Sequence, residues 1–205
     1  GVAGGDQDRV KVCIIDSGFS RGHADLFAAP QVTGTNDPGT GNWFEDGLGH
    51  GTHVAGTIAA LSNAVGVVGV APGTSTLHIV KVFNDFGGWT YSSDLVGALD
   101  VCRQEGARVV SMSLGGTDSG VTEANAFADA LAAGVLPIAA AGNGGDTSTS
   151  YPAGHAAVVS VAAVDSAMAV ADFSQRNADV ELAAPGVDVL STMPPGTGRT
   201  ADVTV

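Results

Sequence analysis

Residues 49–61, Gly-His-Gly-Thr-His-Val-Ala-Gly-Thr-Ile-Ala-Ala-Leu, place His50 and His53 three positions apart at the head of an apolar run rich in small side chains. Three chemistries compete for such a segment: a metal clamp, a phosphate loop, or a general base. The phosphate reading fails because Gly47-Leu48-Gly49-His50-Gly51-Thr52 lacks the third glycine of G-x-G-x-x-G and follows no convincing strand. The metal reading is weak because zinc-binding H-E-x-x-H helices space their histidines by four, with a glutamate between. The base reading gains from two distant residues. Asp16 ends an apolar run, where a carboxylate can hold an imidazole in one tautomer and stabilise its protonated form. Asn143 lies in a glycine-rich turn, where its amide can donate to an oxyanion developing on an attacked carbonyl. Each motif alone is weak: Asp16 and Asn143 are ordinary turn or cap residues, and a generic histidine pair is ordinarily one packed and one capping residue.

A centre built from these residues needs elements to position it. Short apolar runs at 10–16, 77–83, 108–114, 135–141 and 157–164 read as buried strands, and 183–192 as a further strand. Segments 50–61, 90–105 and 122–133 have helical length and spacing, with Gly106 and Gly134 placed as C-terminal caps. This alternation predicts one α/β domain, a parallel sheet with helices on both faces. In such sheets ligands gather at the carboxyl ends of the strands, where Asp16, Ser113-Leu114-Gly115 and Asn143 all fall.

At 205 residues and 44% hydrophobic content the chain can bury a substantial core. Its formal net charge of −13 disfavours nucleic acid and anionic membrane surfaces as partners. No apolar run approaches the ~18 residues of a membrane span. Cys13 falls in a strand and Cys102 in a helix; the two either pair or stay as buried thiols.

The segments VCIIDSGFSRGHADL, GHGTHVAGTIAAL, SMSLGG, AAAGNGGD and FSQRNADVELAAPGVDVLST appear in the order used by the subtilisin family of serine endopeptidases, and the resemblance spans nearly the whole chain. It implies the three-layer subtilisin-like α/β fold, incomplete at the carboxyl end. By resemblance, Asp16 is the triad aspartate, His50 the general base and Asn143 the oxyanion donor, while His53 is structural. Ser113, Leu114 and Gly115 face Gly87, Gly88 and Trp89 across an extended peptide substrate. Ala140, Ala141 and Gly142 wall the first specificity pocket, and Tyr91 with Leu114 forms a further apolar subsite. Small pocket walls imply an apolar or aromatic residue before the cut. Residues 61–67 resemble the family's calcium loop, with carbonyls of Leu61, Val65 and Val67 and the side chains of Asn63 and Asp25 as ligands.

The pattern breaks at the nucleophile. The family carries its serine in Gly-Thr-Ser-Met-Ala at the head of a helix, and these residues contain no such segment. Ser191-Thr192-Met193 runs instead into Pro194-Pro195, so the serine is expected beyond residue 205, with residues 193–205 the start of an inserted segment. The expected protein is a secreted, extracellular monomer acting on polypeptides, partnered by its own carboxyl-terminal part. The alternatives are a non-catalytic peptide-binding relative, or an inactive fragment that needs its other half.

Overall fold

The computed structural model describes residues 9–36, 39–89, 92–195 and 202–203, with backbone alone for 92–94 and 202–203. Seven parallel strands form one sheet in the order β2-β3-β1-β4-β5-β6-β7. They are β1 (Val10–Asp16), β2 (Val32–Asn36), β3 (Ser75–Lys81), β4 (Val109–Met112), β5 (Leu136–Ala140), β6 (Val159–Val164) and β7 (Val180–Pro185). Helix α1 (His50–Ala59) packs on one face, α2 (Ser92–Gln104) and α3 (Val121–Ala132) on the other. A short antiparallel pair, β8 (Val189–Leu190) and β9 (Asp202–Val203), follows β7.

The alternation of side chains along β1 divides the core in two. Val12 and Ile14 pack with Val54, Ala55 and Ala59 of α1, whereas Cys13 and Ile15 pack with Leu95, Leu99 and Phe127 of α2 and α3. Steps β2→β3, β3→β4 and β4→β5 all run the same way across the sheet, yet α1 lies on the face opposite to α2 and α3. The β2–α1–β3 crossover therefore has the opposite hand to the other two, and the strong right-handed rule makes it the exception. Among the described residues it leaves α1 as the one helix on its face, beside the ends of β5–β7.

Several boundaries differ from the sequence reading. Strand β2 was not anticipated: Val-Thr-Gly-Thr-Asn is polar and contains a glycine, which an edge strand tolerates. Strand β3 lies two residues earlier than expected, because pairing with β1 aligns Val10 with Ser75 and Asp16 with Lys81. The single strand expected at 183–192 breaks into β7 and β8, with Asp188 in the left-handed region at φ 52°. Gly106 and Gly134, at φ 77° and 81°, do cap their helices.

The two cysteines form a disulfide with Cα atoms 5.6 Å apart. Helix α2 comes this close to β1 because small side chains, Ala98 and Ala107, fill the interface around the bridge. The bridge closes a separation of 89 residues, so reduction should lower unfolding free energy by about 2–4 kcal/mol. Urea titrations with and without a thiol reductant read this directly; coincident curves would mean that the bridge constrains the unfolded chain very little.

Candidate functional site

Asp16 ends β1 with no exposed surface, and its Oδ1 accepts the Ser17 N–H at 2.7 Å. His50 is the first residue of α1, and its Nδ1 donates to the same Oδ1 at 2.8 Å. That bond fixes the imidazole's tautomer and leaves Nε2 available on the cleft side, with no hydrogen bond among the described residues. Burial pushes His50 toward the neutral form; the Asp16 hydrogen bond and the charges of Asp16 and Asp46 outweigh it, leaving its pKa raised above the ordinary 6.5.

A cavity of about 320 Å³ is lined by His50, Ser113, Leu114, Gly115, Ala140, Gly142, Asn143 and Ser150. The structure thus brings the expected base, the expected amide donor and the expected edge segment around one space at the strand ends. Ala141 is buried, its N–H donating to Val161 O at 2.9 Å, and it lines a neighbouring apolar groove instead. Leu114 is also buried, in the core against α2 and α3. Gly87, Gly88 and Trp89 form a turn closed by the Asn84 side chain, whose Oδ1 accepts from the N–H groups of Phe86 and Gly88 at 2.9 Å each. The Trp89 ring lies edge-on to Phe83 at 5.0 Å, turned onto its own scaffold. Tyr91 lies outside the described residues.

Four supporting residues were not evident in the sequence. Ser150 closes the cavity: a Cβ on Gly115 would stand 2.6 Å from its Oγ, and one on Gly142 3.2 Å from its Cβ. Gln175 grips the turn on both sides of Asn143, donating its N–H to Gly142 O at 3.1 Å and accepting the Gly144 N–H at Oε1. Lys81 is buried with its three donors directed to Ser17 O, Glu45 O and Asp85 Oδ1. Asp46, also buried, takes hydrogen bonds from Ser17, Gly49 and Thr52 at the head of α1. Ser150 and Gln175 act on glycines more than 30 residues away and Lys81 reaches Ser17 and Glu45, contacts that periodicity does not report, whereas Asp46 caps α1 from three residues before Gly49.

His53 is fully buried, its Nε2 3.0 Å from Val189 O. Ser191 and Thr192 donate their hydroxyls to the α1 carbonyls of His53 and Thr52 at 2.7 and 2.8 Å, so Ser191 is engaged as a strut. That approach requires Gly56, where a Cβ would meet Thr192 Oγ1 at 2.2 Å. Between α1 and the ends of β5–β7 runs the apolar groove, about 270 Å³, lined among others by Val54, Ile58, Ile138, Val161, Ala163 and Ala184.

The 61–67 loop closes on one buried carboxylate. Asp25 Oδ1 accepts from Asn63 Nδ2 at 3.0 Å and Oδ2 from the Val67 N–H at 2.7 Å, while Leu61 N–H donates to Asp25 O at 3.0 Å and Val65 N–H to Asn63 Oδ1 at 2.8 Å. Among the described residues no three His, Cys, Asp or Glu side chains group as a metal centre. A cation here would rest on Asp25, the Asn63 amide and backbone carbonyls, the hard oxygen donors that calcium takes, and these residues fit such an ion.

The raised pKa of His50 carries a stability consequence. Protonation in the folded state is favoured over the unfolded chain, so this contribution is fully present below pH 6.5 and is lost as pH rises through the raised folded pKa. His78 has the opposite sign: burial lowers its pKa, Glu105 opposes and Lys11 adds to this, so its contribution is lost on acidification. The difference in melting temperature between the parent and His50→Gln isolates the first effect. It should narrow as pH rises from 6 to 9; a pH-independent difference would remove the charge-assisted Asp16–His50 bond from the account.

Comparisons with known proteins show the family and the fold. The chain matches the family model described as the subtilase family over residues 7–204. It is 44% identical to subtilisin DY of Bacillus licheniformis over 192 residues, covering 92% of this chain and 68% of that protein. It is 40% identical to subtilisin E of Bacillus subtilis (strain 168), covering 92% and 49%. The solved structure of the psychrophilic subtilisin-like protease Apa1 from the Antarctic psychrotroph Pseudoalteromonas sp. AS-11 aligns with a TM-score of 0.86 and 56% identity, covering 91% of this chain and 43% of that one. The chain therefore spans between about two fifths and two thirds of these relatives, and it belongs to the subtilase family.

Proposed function

We propose that these residues form the base-bearing part of a secreted serine endopeptidase of broad specificity. The observation that carries the reading is the 2.8 Å Asp16–His50 bond facing one cavity with Asn143. A serine hydroxyl brought to His50 Nε2 loses its proton to the imidazole as it attacks a peptide carbonyl. Asp16 holds the ring and balances the imidazolium; the Asn143 amide donates to the oxyanion; His50 then returns the proton to the departing amine. The serine is supplied from beyond residue 205, and the carboxyl-terminal part that carries it is the partner of the apolar groove beside α1. Residues 193–205 open an inserted segment before it.

The substrate is an extended polypeptide paired through main-chain hydrogen bonds to Ser113-Leu114-Gly115 on one side, with Gly87-Gly88-Trp89 on the other, where the Gly87 and Gly88 N–H groups already donate to Asn84 and would have to be released for a second pairing. Ala140, Gly142 and Ser150 give the first pocket uncharged, small walls, which suits an apolar or aromatic side chain. Secretion is supported by the disulfide, since such bridges persist in oxidising compartments. No helix among the described residues is long and apolar enough to cross a membrane. Asp25, Asn63 and the Leu61, Val65 and Val67 carbonyls would hold a calcium ion, which would supply a cross-link between the 61–67 loop and the segment after β1.

Hydrolysis tests the reading. A product continuing past Val205 to a Gly-Thr-Ser-Met-Ala-like helix should cleave casein, with activity increasing as His50 loses its proton. His50→Ala should abolish nearly all turnover, and Asn143→Ala should lower kcat by roughly 10²–10³ with little change in KM. Residues 1–205 alone should be inactive. An extended product that binds peptides but cleaves none would establish the non-catalytic relative instead.

Calcium is tested separately, because binding to the folded state alone raises the melting temperature by mass action. Chelation should lower it, and Asp25→Ala should remove the response. A melting curve unchanged by excess chelator would count against the ion.

A further inference from the structure

Asp46 takes part in neither the proton transfer nor the peptide contacts described above, yet it is buried beside both. Its carboxylate accepts four hydrogen bonds. Oδ1 takes the Ser17 hydroxyl and the Gly49 N–H at 2.8 Å each; Oδ2 takes the Thr52 N–H at 2.8 Å and the Thr52 hydroxyl at 2.6 Å. Helix α1 has no capping side chain at its own N-cap, Gly49, whose φ of 81° turns its N–H back toward Asp46. Asp46 therefore satisfies helix donors that would otherwise be unpaired, and its charge sits at the positive end of the helix dipole.

Ser17 joins this cap to the Asp16–His50 pair. Its N–H donates to Asp16, its hydroxyl donates to Asp46 and accepts the Gly51 N–H at 2.9 Å, and its carbonyl receives Lys81 Nζ. The turn and the helix are in contact: a Cβ on Gly51 would come within 2.2 Å of Gly18 O. His50, the first residue of the helix, thus sits between two carboxylates linked through a single serine.

We propose that Asp46 is a positioning residue of the proton-transfer centre, seating the first turn of α1 on Ser17 so that His50 Nδ1 stays on Asp16 Oδ1. The inference deepens the reading of His50 as a base. The charged groups facing it are Asp16 from β1 and Asp46 from the loop before α1. Lys81 of β3 and Asp85 after it pair with each other at 2.9 Å behind the turn, and the other described residues lining the cavity beside His50 are uncharged. With one buried cation already matched to Asp85, the Asp46 charge acts on the imidazole and reinforces the effect of Asp16.

The test is a proton NMR titration of the chain carrying ¹⁵N-histidine, with the His50 signals assigned by their loss in His50→Gln. In the parent, His50 Nδ1–H should give a low-field proton resonance and a titration midpoint above the ordinary histidine value. Asp46→Asn should move the midpoint to lower pH and weaken or broaden that resonance. Asp46→Glu should recover part of the midpoint. Ser17→Ala keeps the Asp46 charge but removes the joint, so it should broaden the Nδ1 proton while moving the midpoint less. A merely structural cap would lower the melting temperature of Asp46→Asn without altering either His50 signal, and that result overturns the proposal. If Asp46→Asn does not fold, Ser17→Ala decides: an unchanged Nδ1 resonance overturns it. The readout needs no nucleophile, so a failure of hydrolysis by the extended product leaves this measurement independent.

Discussion

A carboxylate with no exposed surface stands at the end of β1, and the arrangement around it follows from the cost of burying that charge. An isolated buried carboxylate is strongly unfavourable, and removing one member of a buried pair typically costs more than the pair contributes to stability. Asp16 is tolerated because a backbone N–H and an imidazole meet its Oδ1, while Oδ2 lacks a hydrogen-bond partner among the described residues. An unsatisfied oxygen in a low-dielectric site raises the value of a cation next to it. The raised pKa of His50 and the burial of Asp16 are therefore one interaction seen from its two ends. Helix α1 must begin where it does to bring that imidazole to Asp16, and glycines at 49 and 51 let it come close enough.

The same constraint explains how the polar residues beneath the cleft are shared out. Asp46 neutralises the helix end, and Lys81 neutralises Asp85 while holding the Ser17 and Glu45 carbonyls. The hydrogen bond from Lys81 holds the Asp85 carboxyl below its ordinary range against the opposing effect of burial, with the Gly47 N–H and the Lys81 charge adding to it. A chain of net charge −13 thus places a lysine with 1% exposure at this one junction, where the end of β1, the start of α1 and the loop after β3 converge. On the opposite wall, Gln175 and Ser150 hold the Asn143 turn and the cavity with uncharged groups, so that among the described residues lining the cavity His50 is the one titratable side chain.

Much of this was legible in the sequence where the signal is local. The apolar run ending in Asp16 and the glycine-spaced head of α1 read directly as a strand end and a helix start, and their juxtaposition follows from parallel α/β architecture. Strand β2 was hidden because an edge strand need not be apolar, and β7–β8 because a left-handed Asp188 breaks a run that still reads as extended. The Cys13–Cys102 bridge was undecidable from spacing, since it depends on how closely α2 approaches the sheet over alanines. Asp46 lies three residues before the N-cap, outside the positions where capping patterns are sought, and Gln175 reaches the Asn143 turn from 31 residues away. Such long-range hydrogen bonds leave no periodic trace.

Under the proposed function, these residues carry a base whose nucleophile lies beyond residue 205. Intact mass after exposure to a serine-directed phosphonylating reagent tests it most directly, applied in parallel to residues 1–205 and to a product continuing past Val205. The account predicts one adduct on the longer product, mapping to a serine beyond residue 205 and lost in His50→Ala, and none on the shorter chain. A stoichiometric adduct on any serine within residues 1–205 would contradict it.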